Sequence, residues 1–138
     1  MAPYSPLTQY LVQYIRNEKT KALKQGDSFF AIIADDVTDP HANQEVLSVC
    51  LRLVDGTDIK EFFFDFSYLE RTIGESIANA IKKSLATNGV DITRARGQNY
   101  DGASCMSSDK VGVQECISVQ FCLAAGDEGH VCYCTKLF

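Results

Sequence analysis

Apolar and polar positions fall into blocks of recognisable period along the chain. Between Ser5 and Gln25 the apolar residues Leu7, Leu11, Tyr14 and Ile15 recur three and four apart and form one stripe, which predicts a helix. Ser5 suits the cap of that helix and Pro6 its first position, and Gly26 is placed to end it. Phe29 to Ala34 is an unbroken apolar run. Its length and composition predict a strand buried on both faces, of the kind found in mid-sheet. The run leads straight into Asp35-Asp36-Val37-Thr38-Asp39-Pro40, so three carboxylates stand at the strand's exit.

Glu45 to Val54 reads as a second strand and Ile59 to Phe66 as a third, with Asp55-Gly56 between them as a hairpin signal. Thr72 and Glu75 have the spacing of a capping box. Ile73, Ile77, Ala80, Ile81 and Leu85 follow at helical spacing, and Asn88-Gly89 closes that helix. Ile92 to Ala95 fits a short fourth strand leading into Gly97-Gln98-Asn99-Tyr100-Asp101-Gly102. Ser104 to about Leu123 reads as helix and Val131 to Cys134 as a short fifth strand. Hairpin-linked strands followed by a helical crossover predict an α/β fold: a mixed five-stranded sheet flanked by helices, in the order of RNase H-like domains.

The 138 residues suffice for one domain, 1–138, with 5–25 as a leading helix. Apolar residues make up 46% and charged residues 22%, which is the balance of a folded chain rather than a disordered one. No stretch approaches the roughly 20 apolar residues of a membrane span. Met1-Ala2-Pro3-Tyr4-Ser5-Pro6 lacks the basic-then-apolar pattern of a signal peptide. The expectation is an intracellular protein, nuclear or cytoplasmic, neither secreted nor membrane-bound. The six cysteines are then reduced and act mostly as small core residues, as in Val49-Cys50-Leu51. They lack the C-x-x-C pairs of structural zinc; Cys132 and Cys134 are separated by one residue. A net charge of −5 argues against strong autonomous DNA binding, because phosphate neutralisation dominates such affinity. Lys19, Lys21 and Lys24, and Lys82 and Lys83, read as solvated faces; Arg94 and Arg96 form a third basic spot. Phe62, Phe63 and Phe64 read as sheet packing rather than a base-stacking platform, and His41 as a solvated turn residue. No P-loop, dinucleotide fingerprint or Ser/His/Asp signature is present.

Two acidic exits remain. Asp35 follows the first strand and Asp101 the fourth. If those strands are parallel neighbours, both carboxylates lie at carboxyl ends of strands, where open α/β sheets place their ligands. Two such groups can hold a hard divalent cation through oxygen, and paired cations can clamp the attacking and leaving oxygens of a phosphoryl transfer. The competing reading is that each Asp caps a turn. Asp36 and Asp39 are weaker candidates, one pointing away from Asp35 and the other a natural turn residue before Pro40.

The run from Ser28 to Asp39, Ser-Phe-Phe-Ala-Ile-Ile-Ala-Asp-Asp-Val-Thr-Asp, resembles the first catalytic segment of hAT-superfamily transposases. The resemblance is to the group related to zinc-finger MYM-type proteins and to the THAP-containing repressor of the kinase inhibitor. Asn43 to Arg52, Gly97 to Met106 and Gly112-Val113-Gln114 are similar to that group too, so it covers roughly Leu11 to Gln114. The resemblance places the family's first two catalytic aspartates, which are metal ligands, on Asp35 and Asp101. It implies Mg²⁺ or Mn²⁺ as cofactor in the intact family, DNA as partner, and cut-and-paste transposition as ancestral activity. The family's third acid, a glutamate, belongs to a later helix beyond Phe138, so the expectation is a domain truncated before that helix and inactive alone, binding an ion weakly or not at all. The family's Cys-x-x-His segment has Thr135 where His is expected, and nearby His130 is displaced. The alternative is a domesticated, non-catalytic module that binds DNA, a protein partner or a second copy of itself.

Overall fold

The computed structural model describes residues 5–25, 28–101, 112–113 and 116–117, and the backbone of 133–136. Helix α1 (Pro6–Lys24) begins as its sequence predicts: the Ser5 hydroxyl accepts the Thr8 N–H, and Pro6 occupies a first-turn position where its missing N–H costs nothing. Gly26 lies outside the described residues. The stripe Leu7, Leu11, Tyr14 and Ile15 faces solvent instead of a core. What docks α1 is the opposite side of its second half, where Thr20 and Leu23 are buried. There Arg16 donates to the Phe64 carbonyl at 2.7 Å, to Asp65 at 2.9 Å and to Asn88 Oδ1 at 3.1 Å.

Strands β1 (Phe30–Asp39), β2 (Gln44–Asp55), β3 (Asp58–Leu69), β4 (Ala95–Tyr100) and β5 (Tyr133–Lys136) form one sheet in the order β3-β2-β1-β4-β5. β1 is antiparallel to β2 and β2 to β3, while β1–β4 and β4–β5 are parallel. The mixed α/β fold is thus the RNase H-like one, with the apolar first strand at its centre. Gly56, at φ +64°, opens the two-residue turn between β2 and β3, a conformation that glycine adopts without strain.

One sheet face carries the core. Phe30, Ile32 and Ala34 of β1, and Leu47, Val49 and Leu51 of β2, are buried against Ile77, Ala78, Ile81 and Leu85 of helix α2 (Gly74–Thr87). Each of the larger side chains contributes roughly 1.5–3 kcal/mol by leaving water. On the other face Ala31 and Ile33 are only half-buried, so β1 alternates rather than being covered on both sides. Val113 and Ile117, from the segment expected to be helix between Ser104 and Leu123, join the same core, and Cys116 packs against it.

Several boundaries differ from expectation: β1 runs on to Asp39 and β3 to Leu69. The capping box does not form: α2 starts at Gly74 with Ile73 as its cap and no side-chain hydrogen bond there, because Thr72 stands one residue too early. Ile92–Arg94 is a turn of 3₁₀ helix, capped by Asp91, whose carboxylate accepts the Thr93 N–H at 2.9 Å. The fourth strand therefore begins at Ala95 and runs through the polar Gly97-Gln98-Asn99 segment. The fifth spans Tyr133–Lys136, two residues later than expected at each end. At the other end of α2, closure occurs at Asn88-Gly89 as predicted. Gly89 takes φ +72°, its N–H bonds the Ala86 carbonyl, and the Val90 N–H bonds Leu85, the paired bonds of a Schellman ending.

Candidate metal centre

The parallel ladder between β1 and β4 sets the site. Phe30 pairs with Ala95, then β4 takes in one extra residue, and the register runs from Ala31↔Gly97 to Ala34↔Tyr100. Asp35 and Asp101 are the next residue on each strand. They consequently emerge side by side at the carboxyl end of the parallel pair. β1 itself does not end there: it continues to Asp39 as the partner of β2, so Asp35, Asp36 and Asp39 are strand residues and not an exit loop.

The final turn of β4 is fixed from below. Gln98 and Tyr100 are buried on the core face, and the Tyr100 hydroxyl donates to Gln98 Oε1 at 2.7 Å. This bond lets a polar strand lie in an apolar core without leaving the amide oxygen unpaired. On the other face Ser48 donates to the Asp35 carbonyl at 3.1 Å, tying the Asp35 backbone to β2.

One carboxylate oxygen from each of Asp35, Asp36 and Asp101 lies within 4.8 Å of the others. Oxygen ligands of Mg²⁺ or Ca²⁺ stand about 2.0–2.6 Å from the ion, so two ligands of one ion are at most about 5 Å apart. All three groups can therefore meet a single hard cation, and the donor set, oxygen alone, fits it chemically. Asp35 and Asp101 are exposed and Asp36 is half-buried. Burial is the largest influence on Asp36 and pushes its carboxyl above the usual carboxylate range; Asp101, Glu45 and Asp35 add like-charge repulsion in that order. A divalent cation at this position would relieve that repulsion.

Asp36 is the member of the cluster that the sequence pattern ranked low. Strand alternation does direct Asp35 and Asp36 to opposite faces, but the β4 ladder stops at Tyr100. Asp101, no longer held in the ladder, approaches both. Asp39 stands apart in a turn role, its carboxylate accepting the N–H groups of His41 at 2.8 Å and Ala42 at 3.3 Å. His41 is exposed. Asp127, Glu128, His130 and Cys132 lie outside the described residues. Among described cysteines, Cys50 and Cys116 are free thiols, and burial, followed by Glu61, pushes the Cys50 thiol up and away from reactivity. No described helix is long and apolar enough to cross a membrane.

Residues 5–112 match the family model described as the ZMYM1/FAM200 RNase-like domain, a span that includes the whole acidic cluster and the strands that build it. No curated protein sequence matches this chain.

Proposed function

The chain belongs to the ZMYM1/FAM200 RNase-like domain family, and from that membership we propose that it is a divalent-cation-binding domain descended from a DNA transposase of the hAT type. The convergence of the Asp35, Asp36 and Asp101 carboxylates on one point at the carboxyl end of the β1–β4 pair carries this reading. Asp35 and Asp101 are the two ligands that the hAT resemblance implies, and Asp36 supplies a third oxygen. When bound, Mg²⁺ or Mn²⁺ supplies Lewis-acid stabilisation of charge on a phosphodiester. The carboxylates hold and orient it, and the Gln98–Tyr100 hydrogen bond and the Ser48 bond fix the backbones that carry them.

The same geometry argues for binding without strand cleavage by these residues alone. Two-ion phosphoryl transfer clamps the attacking and leaving oxygens between cations about 3.5–4 Å apart. The carboxylates of Asp35, Asp36 and Asp101, with one oxygen of each within 4.8 Å of the others, converge on a single ion position. The net charge of −5 also weakens attraction to DNA.

Mn²⁺ titration followed by the loss of the free-ion EPR signal tests the proposal. The expected result is one ion per chain with a dissociation constant on the order of millimolar. Binding should fall below detection in Asp35→Asn and Asp101→Asn and be unchanged in Asp39→Asn. Equal binding by Asp101→Asn would reject the site. Metal-dependent DNA cleavage by the purified chain, abolished in Asp101→Ala, would overturn the non-cleaving reading.

A further inference from the structure

We propose that two copies of this chain pair reciprocally, the first half of α1 of each lying across the open face of the other's sheet. Two largely apolar surfaces are without cover among the described residues, and this pairing commits one to the other.

The first surface is a ridge. Leu7, Tyr10, Leu11, Tyr14 and Ile15 are between 48% and 68% exposed. At 3.6 residues per turn they lie on the side of α1 opposite Arg16, Thr20 and Leu23, which dock the helix on its own domain. The ridge is therefore held outward by the contacts that fix the helix. Pro6 to Ile15 contains no charged residue.

The second surface is the sheet face opposite the core. Its rows follow from the register: Val37, Val46 and Tyr68; then Asp35, Ser48 and Phe66; then Ile33, Cys50 and Phe63. Phe63 and Phe66 touch, with ring centroids 4.5 Å apart. Val37, Phe63, Phe66 and Tyr68 are between 49% and 63% exposed. Within these rows charge is confined to Asp35, in the row of Ser48 and Phe66, and the Arg52–Glu61 ion pair lies beyond the row of Ile33.

Area and charge select the occupant. With about 150–250 Å² for a whole aromatic side chain and somewhat less for an aliphatic one, the exposed fractions give on the order of 900 Å² for one helix-on-sheet contact. That is below the roughly 1,200 Å² of a stable interface, whereas two reciprocal contacts, on the order of 1,800 Å², lie within the usual range. A two-fold exchange is closed and leaves neither surface over. In a chain of net charge −5, an uncharged ridge can meet rows whose charges are one aspartate and one bordering, internal ion pair without like-charge repulsion between copies.

The test is sedimentation equilibrium of the 138-residue chain with three variants, the fold of each checked by circular dichroism. The wild type should be a dimer. Leu11→Glu on the ridge and Phe66→Glu on the sheet should each raise the dimer dissociation constant at least tenfold, while Lys83→Glu on α2 should leave it unchanged. An equimolar mixture of Leu11→Glu and Phe66→Glu should associate more tightly than either alone, because a mixed pair keeps one undamaged contact. A monomeric wild type would overturn the proposal. So would a dimer insensitive to Phe66→Glu, which would mark helix-to-helix pairing, and so would a mixture no tighter than its parts. Mn²⁺ binding is read separately, so failure of the dimer leaves the metal centre standing, and the converse.

Discussion

Asp36 shows how much one residue's role depends on where a neighbouring strand stops. Its position in an apolar-to-acidic run was legible, and its alternation away from Asp35 was read correctly, yet cluster membership depends on the end of the β4 ladder at Tyr100, which no local pattern encodes. Its raised pKa has a definite sign. A carboxyl that holds its proton more tightly folded than unfolded loses stability as pH rises from the ordinary carboxylate range through the raised folded value, and the loss is complete above it. Asp36→Asn should therefore stabilise the metal-free protein at neutral pH and remove the fall in stability as pH rises above the ordinary carboxylate range, as urea melts at several pH values would show. An unchanged pH profile would mean that Asp36 is not repelled in the folded state. Tyr100→Phe tests the support beneath the cluster: loss of its buried bond to Gln98 should cost about 1–2 kcal/mol, measurable in the same melts.

At the scale of elements, α1 and β4 were the hardest to place. The α1 stripe has the period of a core face, and the opposite side docks instead, through buried Thr20 and Leu23 and through Arg16, whose planar fork joins Phe64, Asp65 and Asn88. Arg16→Ala should destabilise the fold by roughly 2–4 kcal/mol, and Arg16→Lys should recover little, since an ammonium cannot reproduce the fork. A denaturant series on the two variants checks this. The β4 strand was placed too early because Ile92-Thr93 looks like strand, while the Asp91 cap curls it into a 3₁₀ turn and the amide-rich segment after it is the true ladder. By contrast, the end of α2 was readable from Asn88-Gly89 alone. An added Cβ at Gly89 would meet only Lys24 Cε at 3.6 Å, so Gly89→Ala should cost backbone strain and no clash, about 1–2 kcal/mol. A much larger loss in a thermal melt would indicate a packing role instead.

Across the whole molecule, the order of elements was legible because each strand of the hairpin and the central apolar run carried its own signal, and right-handed crossover leaves few ways to join them. The juxtaposition of Asp35 and Asp101 followed from that order, whereas the uncovered outer face did not: Phe63 read as sheet packing together with Phe62 and Phe64, yet Phe63, Phe66 and Tyr68 are exposed. The central claim is that the acidic cluster is a cation site and not a set of turn caps. A thermal melt of the wild type and Asp101→Asn, with and without Mn²⁺, distinguishes the two. Ion at 100 times its dissociation constant should add about 2.7 kcal/mol, a rise of about 9 °C for a chain of this length. The Asn variant should show no such rise and, with one repulsive charge removed, should melt no lower than the metal-free wild type. An equal Mn²⁺-dependent rise in Asp101→Asn, or a marked fall in its metal-free melting temperature, would contradict the account and make Asp101 a structural cap.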